Sequence, residues 1–210
     1  MNELAIRSLT GIAMIAVALA AVFVGGYAFA LLAAFVATAV FYEWTKLSKG
    51  WGAGWYLGGA AYALAAALSL LWIRDRGDNG VALVLWVFIV GWSTDIGAYF
   101  TGRAIGGPKL APAISPGKTW AGFYGGIAIA TLCGGAWALA QALPLVVLLL
   151  APLFAAASQG GDLFESWMKR RAGVKDSGRW LPGHGGVFDR VDGLLPVAIL
   201  TAVAVVAGAA

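Results

Sequence analysis

The chain has 210 residues, 61% of them hydrophobic and 11% charged, with a formal net charge of +4. A soluble domain carries about 25% charged residues, so this composition excludes an ordinary water-soluble globule and points to an integral membrane protein. One cysteine, Cys133, and one histidine exclude an internal disulfide and a Cys/His metal cluster.

A helix needs about 20 apolar residues to cross the hydrocarbon core, and seven stretches qualify: about 8–24, 28–45, 55–73, 81–101, 121–141, 144–165 and 188–208. The first lacks a small-residue cleavage site and further spans follow, so it reads as a span and not as a cleavable signal. Only Gly25, Gly26 and Tyr27 separate it from the second, which predicts a tight helical hairpin. The fourth begins as VALVLWVFIV and ends as GWSTDIGAYF, with Asp95 inside it. Cys133 falls within the fifth and is read as a packing residue. Abundant Ala and Gly suit close helix packing in lipid. The expected fold class is all-α, a polytopic integral membrane protein with about seven transmembrane helices.

Orientation follows from Lys and Arg in the short loops. With a cytoplasmic N-terminus, twelve of the fourteen Lys and Arg fall on the cytoplasmic side. Only Arg74 and Arg76 fall on the other, beside Asp75 and Asp78. The expected topology is N-in and C-out, with both long polar loops in the cytoplasm.

That topology brings acids to one depth. Asp95 lies ~9 Å below the cytoplasmic end of its span at the helical rise. Asp162, Glu165 and Ser166 close the sixth span on one face, at i, i+3 and i+4. Asp189 and Asp192 open the seventh, also on one face. Gly160, Gly161, Gly185 and Gly186 lie close to Asp162 and Asp189, where glycine lets backbone and ligand approach. Carboxylates without His or Cys partners suit a hard cation, Mg²⁺ before zinc. The bland reading, interfacial acids paired with Lys169, Arg170 or Arg190, stands beside this one.

The loops point to phosphate. Ser166 to Asp192 reads SWMKRRAGVKDSGRWLPGHGGVFDRVD and holds six of the fourteen basic residues, the only His and three of the ten acids. The loop from Gly102 carries GKT before the fifth span. A P-loop would need Gly where Pro112 stands and a strand before it, so that motif is rejected. Ser115, Lys118 and Thr119 at a helix start would still favour an anion. His184 is the only histidine candidate for a general base, and a ligand or hydrogen-bonding role is equally open to it.

These residues resemble the phosphatidate cytidylyltransferases, or CDP-diacylglycerol synthases. The family pattern is matched by Ser166, Met168, Lys169, Arg170, Lys175, Asp176, Leu181, Pro182, His184, Gly185, Gly186, Val187, Asp189, Arg190, Val191 and Asp192. Gly161 to Ser166 match its Gly-Asp-apolar-x-Glu-Ser run. Asp95, Ala98 and Tyr99 match its Asp-x-x-Ala-Tyr run. Ser115 to Gly122 match a further run, with Ala121 where Glu is usual. The first three spans match only in character.

The resemblance implies transfer of the cytidylyl group of CTP to phosphatidate, giving CDP-diacylglycerol and pyrophosphate. It implies Mg²⁺, alone or with a second cation, held by Asp162 and Asp189. The implied catalytic set is Asp162, Asp189, Lys175 and Asp176. The implied substrate contacts are Asp95, Ser115, Lys118, Thr119, Ser166, Lys169, Arg170, His184, Gly185, Gly186, Arg190 and Asp192. Residues 1–75 would form the N-terminal transmembrane helices, about three, and 80–210 the catalytic region with loops 102–120 and 166–187. The expected partners are CTP and membrane phosphatidate, with no nucleic acid; a homodimer is compatible with the reading. The location is the cell membrane, multi-pass, with the site on the cytoplasmic side and a lateral opening for lipid between spans four, six and seven. Two alternatives remain at this point: a CDP-alcohol phosphotransferase-like enzyme, suggested by Asp189 to Gly193, and a non-enzymatic seven-span transporter.

Overall fold

Among the described residues, six helices are long and apolar enough to cross a membrane: α1 (Glu3–Val24), α2 (Gly26–Leu47), α3 (Ala53–Arg74), α4 (Gly80–Ile105), α5 (Trp120–Ala140) and α6 (Leu145–Arg171). A short α7 (Phe188–Val191) and an apolar α8 (Leu194–Ala204) follow, and a π-helical turn, Val205–Ala209, continues α8. The computed structural model describes residues 3–181 and 183–209; Pro182 of the motif lies outside the described residues.

The expected seventh span is not one uninterrupted helix. Asp192 and Gly193 keep helical dihedral angles, but the hydrogen-bond ladder breaks there. The Asp192 carboxylate accepts the Gly193 N–H at 2.8 Å, and a Cβ on Gly193 would lie 2.6 Å from Ser158 Oγ. Two further expectations are corrected. The sixth span runs on to Arg171, so Ser166, Lys169 and Arg170 are helical and not in a loop. Lys169, Arg170 and Arg171 occupy its last turn, where the helix dipole favours cations. The 102–120 loop adds a small β element to the all-α expectation. Strands β1 (Lys109–Ala111) and β2 (Ser115–Thr119) pair antiparallel, and Pro112 sits in the turn between them.

The α1–α2 hairpin turns where expected. Gly25 has φ 67°, a left-handed conformation that glycine adopts without a Cβ penalty. Arg74, at the end of α3, donates from Nε to the Val22 carbonyl at 2.6 Å. A cation on the last carbonyls of α1 complements the helix dipole, and it puts the ends of α1 and α3 at one end of the bundle. The opposite end gathers Arg7, Glu43, Lys118, Asp162 and the 172–187 loop through the contacts described below.

α4 is the central helix. Leu83, Val84, Trp86, Val87 and Val90 are fully or almost fully buried, together with Ala151, Phe154 and Ala155 of α6 and Val197 and Ala198 of α8. The Trp86 indole N–H donates to the Gly134 carbonyl at 3.1 Å, and the Trp137 indole to that of Ala82 at 2.9 Å. This packing closes α4 against α6 and α8. Leu57, Leu64 and Leu68 of α3 are exposed, as lipid-facing positions should be. Cys133 also lies exposed on α5, which corrects its reading as a packing residue.

α4 and α5 approach through glycine. A Cβ on Gly126 would lie 2.8 Å from the Thr94 carbonyl oxygen, and one on Gly122 the same distance from that of Ala98. Overpacking of this kind costs roughly 1–3 kcal/mol. Gly126→Val should lower the thermal unfolding temperature in detergent; an unchanged melting curve would contradict this account of the interface.

A second core ties α2 and α3 to the far helices. Trp44 lies within 6.2 Å, ring centre to ring centre, of Trp55, Tyr62, Phe164 and Phe188. Its indole donates to the Trp55 carbonyl at 2.8 Å.

Candidate active site

The end of α6 presents Asp162, Glu165, Ser166 and Lys169 on one face, as their spacing predicts. Lys169 is the hub of the first polar cluster. Its ammonium bonds Glu165 one turn earlier and Asp189 Oδ1 at 2.6 Å. All three side chains are almost out of reach of solvent, at 12%, 0% and 5% exposure. A buried pair of this kind depends on further hydrogen bonds to offset desolvation. Asp189 has them. Its Oδ2 accepts from the Ser177 N–H at 2.9 Å and the Gly186 N–H at 2.8 Å, and lies 3.0 Å from the Ser177 hydroxyl. Burial pushes the Asp189 carboxyl up, but the bonds from Lys169 and Gly186 outweigh it and hold the group below the usual carboxylate range. Gly185, at φ 80°, makes the turn beneath it; a Cβ there would stand 2.9 Å from Asp189 Oδ2.

The second cluster forms around Asp162. Lys118 of β2 reaches its Oδ2 at 2.6 Å, and the Ser166 hydroxyl lies 3.3 Å from Oδ1. This pair is more open, at 22% and 30% side-chain exposure. Asp192 belongs to the same region. It lies close enough to Asp162 and Asp95 to feel the charge of both. A Cβ on Gly161 would collide with the Asp192 carbonyl, so glycine there lets α6 and the start of α8 approach. Asp95 of α4 lies in the field of Asp162, Lys118 and Arg190. Asp95 in α4, Asp162 in α6 and Asp192 at the break before α8 therefore act on one another electrostatically.

Other candidate residues serve the frame. Thr119 is the N-cap of α5, its hydroxyl accepting the Gly122 N–H at 3.1 Å. Ser115 and Lys118 lie in β2 and not at the helix start. Arg170 donates to the carbonyls of Ile114 at 3.1 Å and Val174 at 3.2 Å, bracing the hairpin against the 172–187 loop. His184 lies against α1, its Nε2 3.5 Å from where a Cβ on Gly11 would stand. Arg7 holds the neighbouring Gly183 carbonyl at 3.0 Å. Lys175 and Asp176 line an open cavity beside α2.

Sequence reasoning missed Glu43. It lies within α2, fully buried. Oε1 accepts the Val187 N–H at 3.0 Å, and Oε2 accepts the Phe188 N–H at 2.8 Å and the Ser177 hydroxyl at 2.8 Å. A Cβ on Gly178 or Gly186 would collide with it. Glu43 thus anchors the segment that carries Asp189. The only available signal was an acid within an otherwise apolar span.

The donors suit a hard cation, because all are oxygens. Among the described residues no group of three His, Cys, Asp or Glu is arranged to hold a metal. Mg²⁺, however, is commonly held by one or two carboxylates plus substrate phosphates. Asp162 fits that role, with one oxygen lightly engaged. Asp189 carries donors on both oxygens. Glu165 Oε1 is buried without a hydrogen-bond partner among the described residues.

A family model described as the cytidylyltransferase family matches residues 50–207. The chain belongs to that family. It is 41% identical over 249 aligned positions to the phosphatidate cytidylyltransferase of Brucella suis biovar 1 (strain 1330), covering 95% of this chain and 92% of that protein. It is 43% identical to the Pseudomonas aeruginosa enzyme of the same name over 69% of this chain and 55% of that one. The Bacillus subtilis (strain 168) enzyme is 48% identical over 59% of this chain and 47% of its own length. The family match covers both acid clusters and β2. Glu43 precedes it.

Proposed function

We propose that this chain transfers the cytidylyl group of CTP to phosphatidate, forming CDP-diacylglycerol and pyrophosphate at the cytoplasmic face of the membrane. The observation that carries this reading is the pairing of Lys118 with Asp162 and Lys169 with Asp189 at one end of the bundle, within the family-matched segment. The positive bias of that end supports the cytoplasmic assignment.

A phosphate oxygen of phosphatidate attacks the α-phosphorus of CTP. The bond from that phosphorus to the β-phosphate oxygen breaks, and pyrophosphate leaves with the electron pair. The nucleophile is already ionised near neutral pH, so the step needs no strong base. What it needs is positioning and charge neutralisation. Lys118 and Lys169 supply fixed positive charge, each held by a carboxylate. β2 places Lys118 and the last turn of α6 places Lys169. Asp162, with Asp189 as the second ligand candidate, would hold Mg²⁺ alone or with a second cation; bound there, it would neutralise the phosphates and polarise the α-phosphorus.

The lipid enters from the side. An apolar groove of about 700 Å³ is lined by Trp44 of α2, Gly58 and Tyr62 of α3, Gly161 and Phe164 of α6 and Pro196 of α8. Its wall includes Gly161, the residue before Asp162 in α6, and in this reading it takes an acyl chain. The transporter alternative calls for polar groups across the mid-membrane of several spans, whereas the hub of α4, α6 and α8 is apolar.

The test is an assay of purified protein with labelled CTP, phosphatidate and Mg²⁺. CTP-derived label should enter the lipid phase, and excess EDTA should stop it. No label in the lipid phase would overturn the function; full turnover in EDTA would remove the metal.

His184 gives a separate expectation. Placed against α1, it positions the loop and carries no obligatory proton transfer. His184→Gln should retain measurable turnover, because Gln keeps hydrogen-bonding capacity. A loss of several orders of magnitude, together with a wild-type acid limb absent from the variant, would put His184 at the chemical step.

A further inference from the structure

Beside the acid clusters lies a second cavity, of about 590 Å³, between the end of α2 and residues 174–180. We propose that it is the subsite for the nucleoside triphosphate, reached from the aqueous side and separated from the lipid groove by α2. The proposal rests on the cytidylyltransferase reading and extends it to residues outside the motif.

Three observations carry it. The first is charge. Lys46, Lys175 and Arg179 line the cavity and are exposed. The ion pairs among the described residues involve only Lys118 and Lys169, so no carboxylate neutralises these three cations. Of the two acids in the wall, Glu43 is saturated by three donors. The other, Asp176, suits the exocyclic amino group of a base.

The second is the aromatic wall. Tyr42 and Trp180 lie 5.4 Å apart, ring centre to ring centre, and keep 41% and 47% exposure. The Lys46 ammonium stands 4.3 Å over the Tyr42 ring. Open aromatic faces beside cations recognise a base and its phosphates together.

The third is position. Ser177 lines the cavity and also hydrogen-bonds Asp189, so the cavity wall is one side chain from the Lys169–Asp189 pair. Successive residues of α2 divide the space. Tyr42 and Glu43 face this cavity, and Trp44 faces the apolar groove. A water-soluble triphosphate and a membrane lipid would then approach the same acids from opposite sides of one helix.

The experiment uses the full chain in detergent, comparing wild type with Trp180→Ala and with the double variant Lys46→Gln/Arg179→Gln. Each should raise the KM for CTP roughly tenfold, in line with the loss of one stacking or charge contact. The KM for phosphatidate should stay within about twofold, a small change beside tenfold. Equilibrium binding of labelled CTP without lipid should weaken in parallel. Melting curves and size-exclusion profiles check folding, and the double variant, at two exposed positions, decides the matter if Trp180→Ala is unstable. Unchanged CTP binding in folded variants overturns the proposal. So does a shift in the KM for phosphatidate alone, which would make the cavity a site for lipid headgroups. If wild type binds CTP and the variants do not, but no CDP-diacylglycerol forms, the subsite stands and the catalytic reading falls. If wild type makes CDP-diacylglycerol and the variants bind CTP normally, the catalytic reading stands and the subsite falls.

Discussion

Asp162→Asn is expected to reduce CDP-diacylglycerol formation by at least ~10²–10³-fold, the usual cost of removing one electrostatic group from a transition state, while leaving the fold intact. Asn keeps the shape of the side chain and an acceptor for Ser166, but not the charge that holds Lys118 at 2.6 Å. That pair is partly open to solvent, and exposed pairs contribute ~0–1 kcal/mol to stability. Activity should therefore fall without a matching fall in melting temperature. Asp189→Asn should behave differently. Asp189 is buried against Lys169, and removing one partner of a buried pair costs roughly 3–5 kcal/mol. That variant should lose stability and turnover together. Near wild-type turnover in Asp162→Asn would remove it from the reaction.

Glu43→Ala should produce the largest loss of stability in the chain. Two backbone N–H groups and one hydroxyl converge on this carboxylate, and each orphaned buried donor costs roughly 1–3 kcal/mol. The segment that carries Asp189 would lose its anchor, so activity should fall with stability. Glu43→Gln is only a partial remedy. Oε1 and Oε2 both accept hydrogen bonds, and an amide would turn a donor toward one set of donors. A wild-type melting curve and turnover in Glu43→Ala would contradict the anchoring role.

The spans and their polar end were legible because hydrophobic length and basic-residue bias are local signals. The break at Gly25 was legible for the same reason. The end of α6 was not. Lys169, Arg170 and Arg171 read as loop by composition, yet the last turn of a helix welcomes cations. The hairpin was hidden by the brevity of β1 and β2 and by the prolines around them. Asp162 and Asp189 were legible through the motif, and Lys169 was among the expected partners of the acids, but Lys118 and Glu43 were not. Lys118 is 44 residues from Asp162 in sequence, and Glu43 is 144 from Val187. No periodicity links positions so far apart. Helix order alone does not reveal that α2 and α3, rather than α4, line the apolar groove together with α6 and α8.

Ser177 has one hydroxyl proton and two carboxylate neighbours, Glu43 Oε2 at 2.8 Å and Asp189 Oδ2 at 3.0 Å. It can donate to only one of them at a time. Positive charge brought close to Asp189 makes Glu43 the stronger acceptor, and withdrawing that charge restores the balance. The hydroxyl is therefore a rotor with two settings. Turning it passes one hydrogen bond between Asp189 of α7 and Glu43 of α2 without moving a heavy atom.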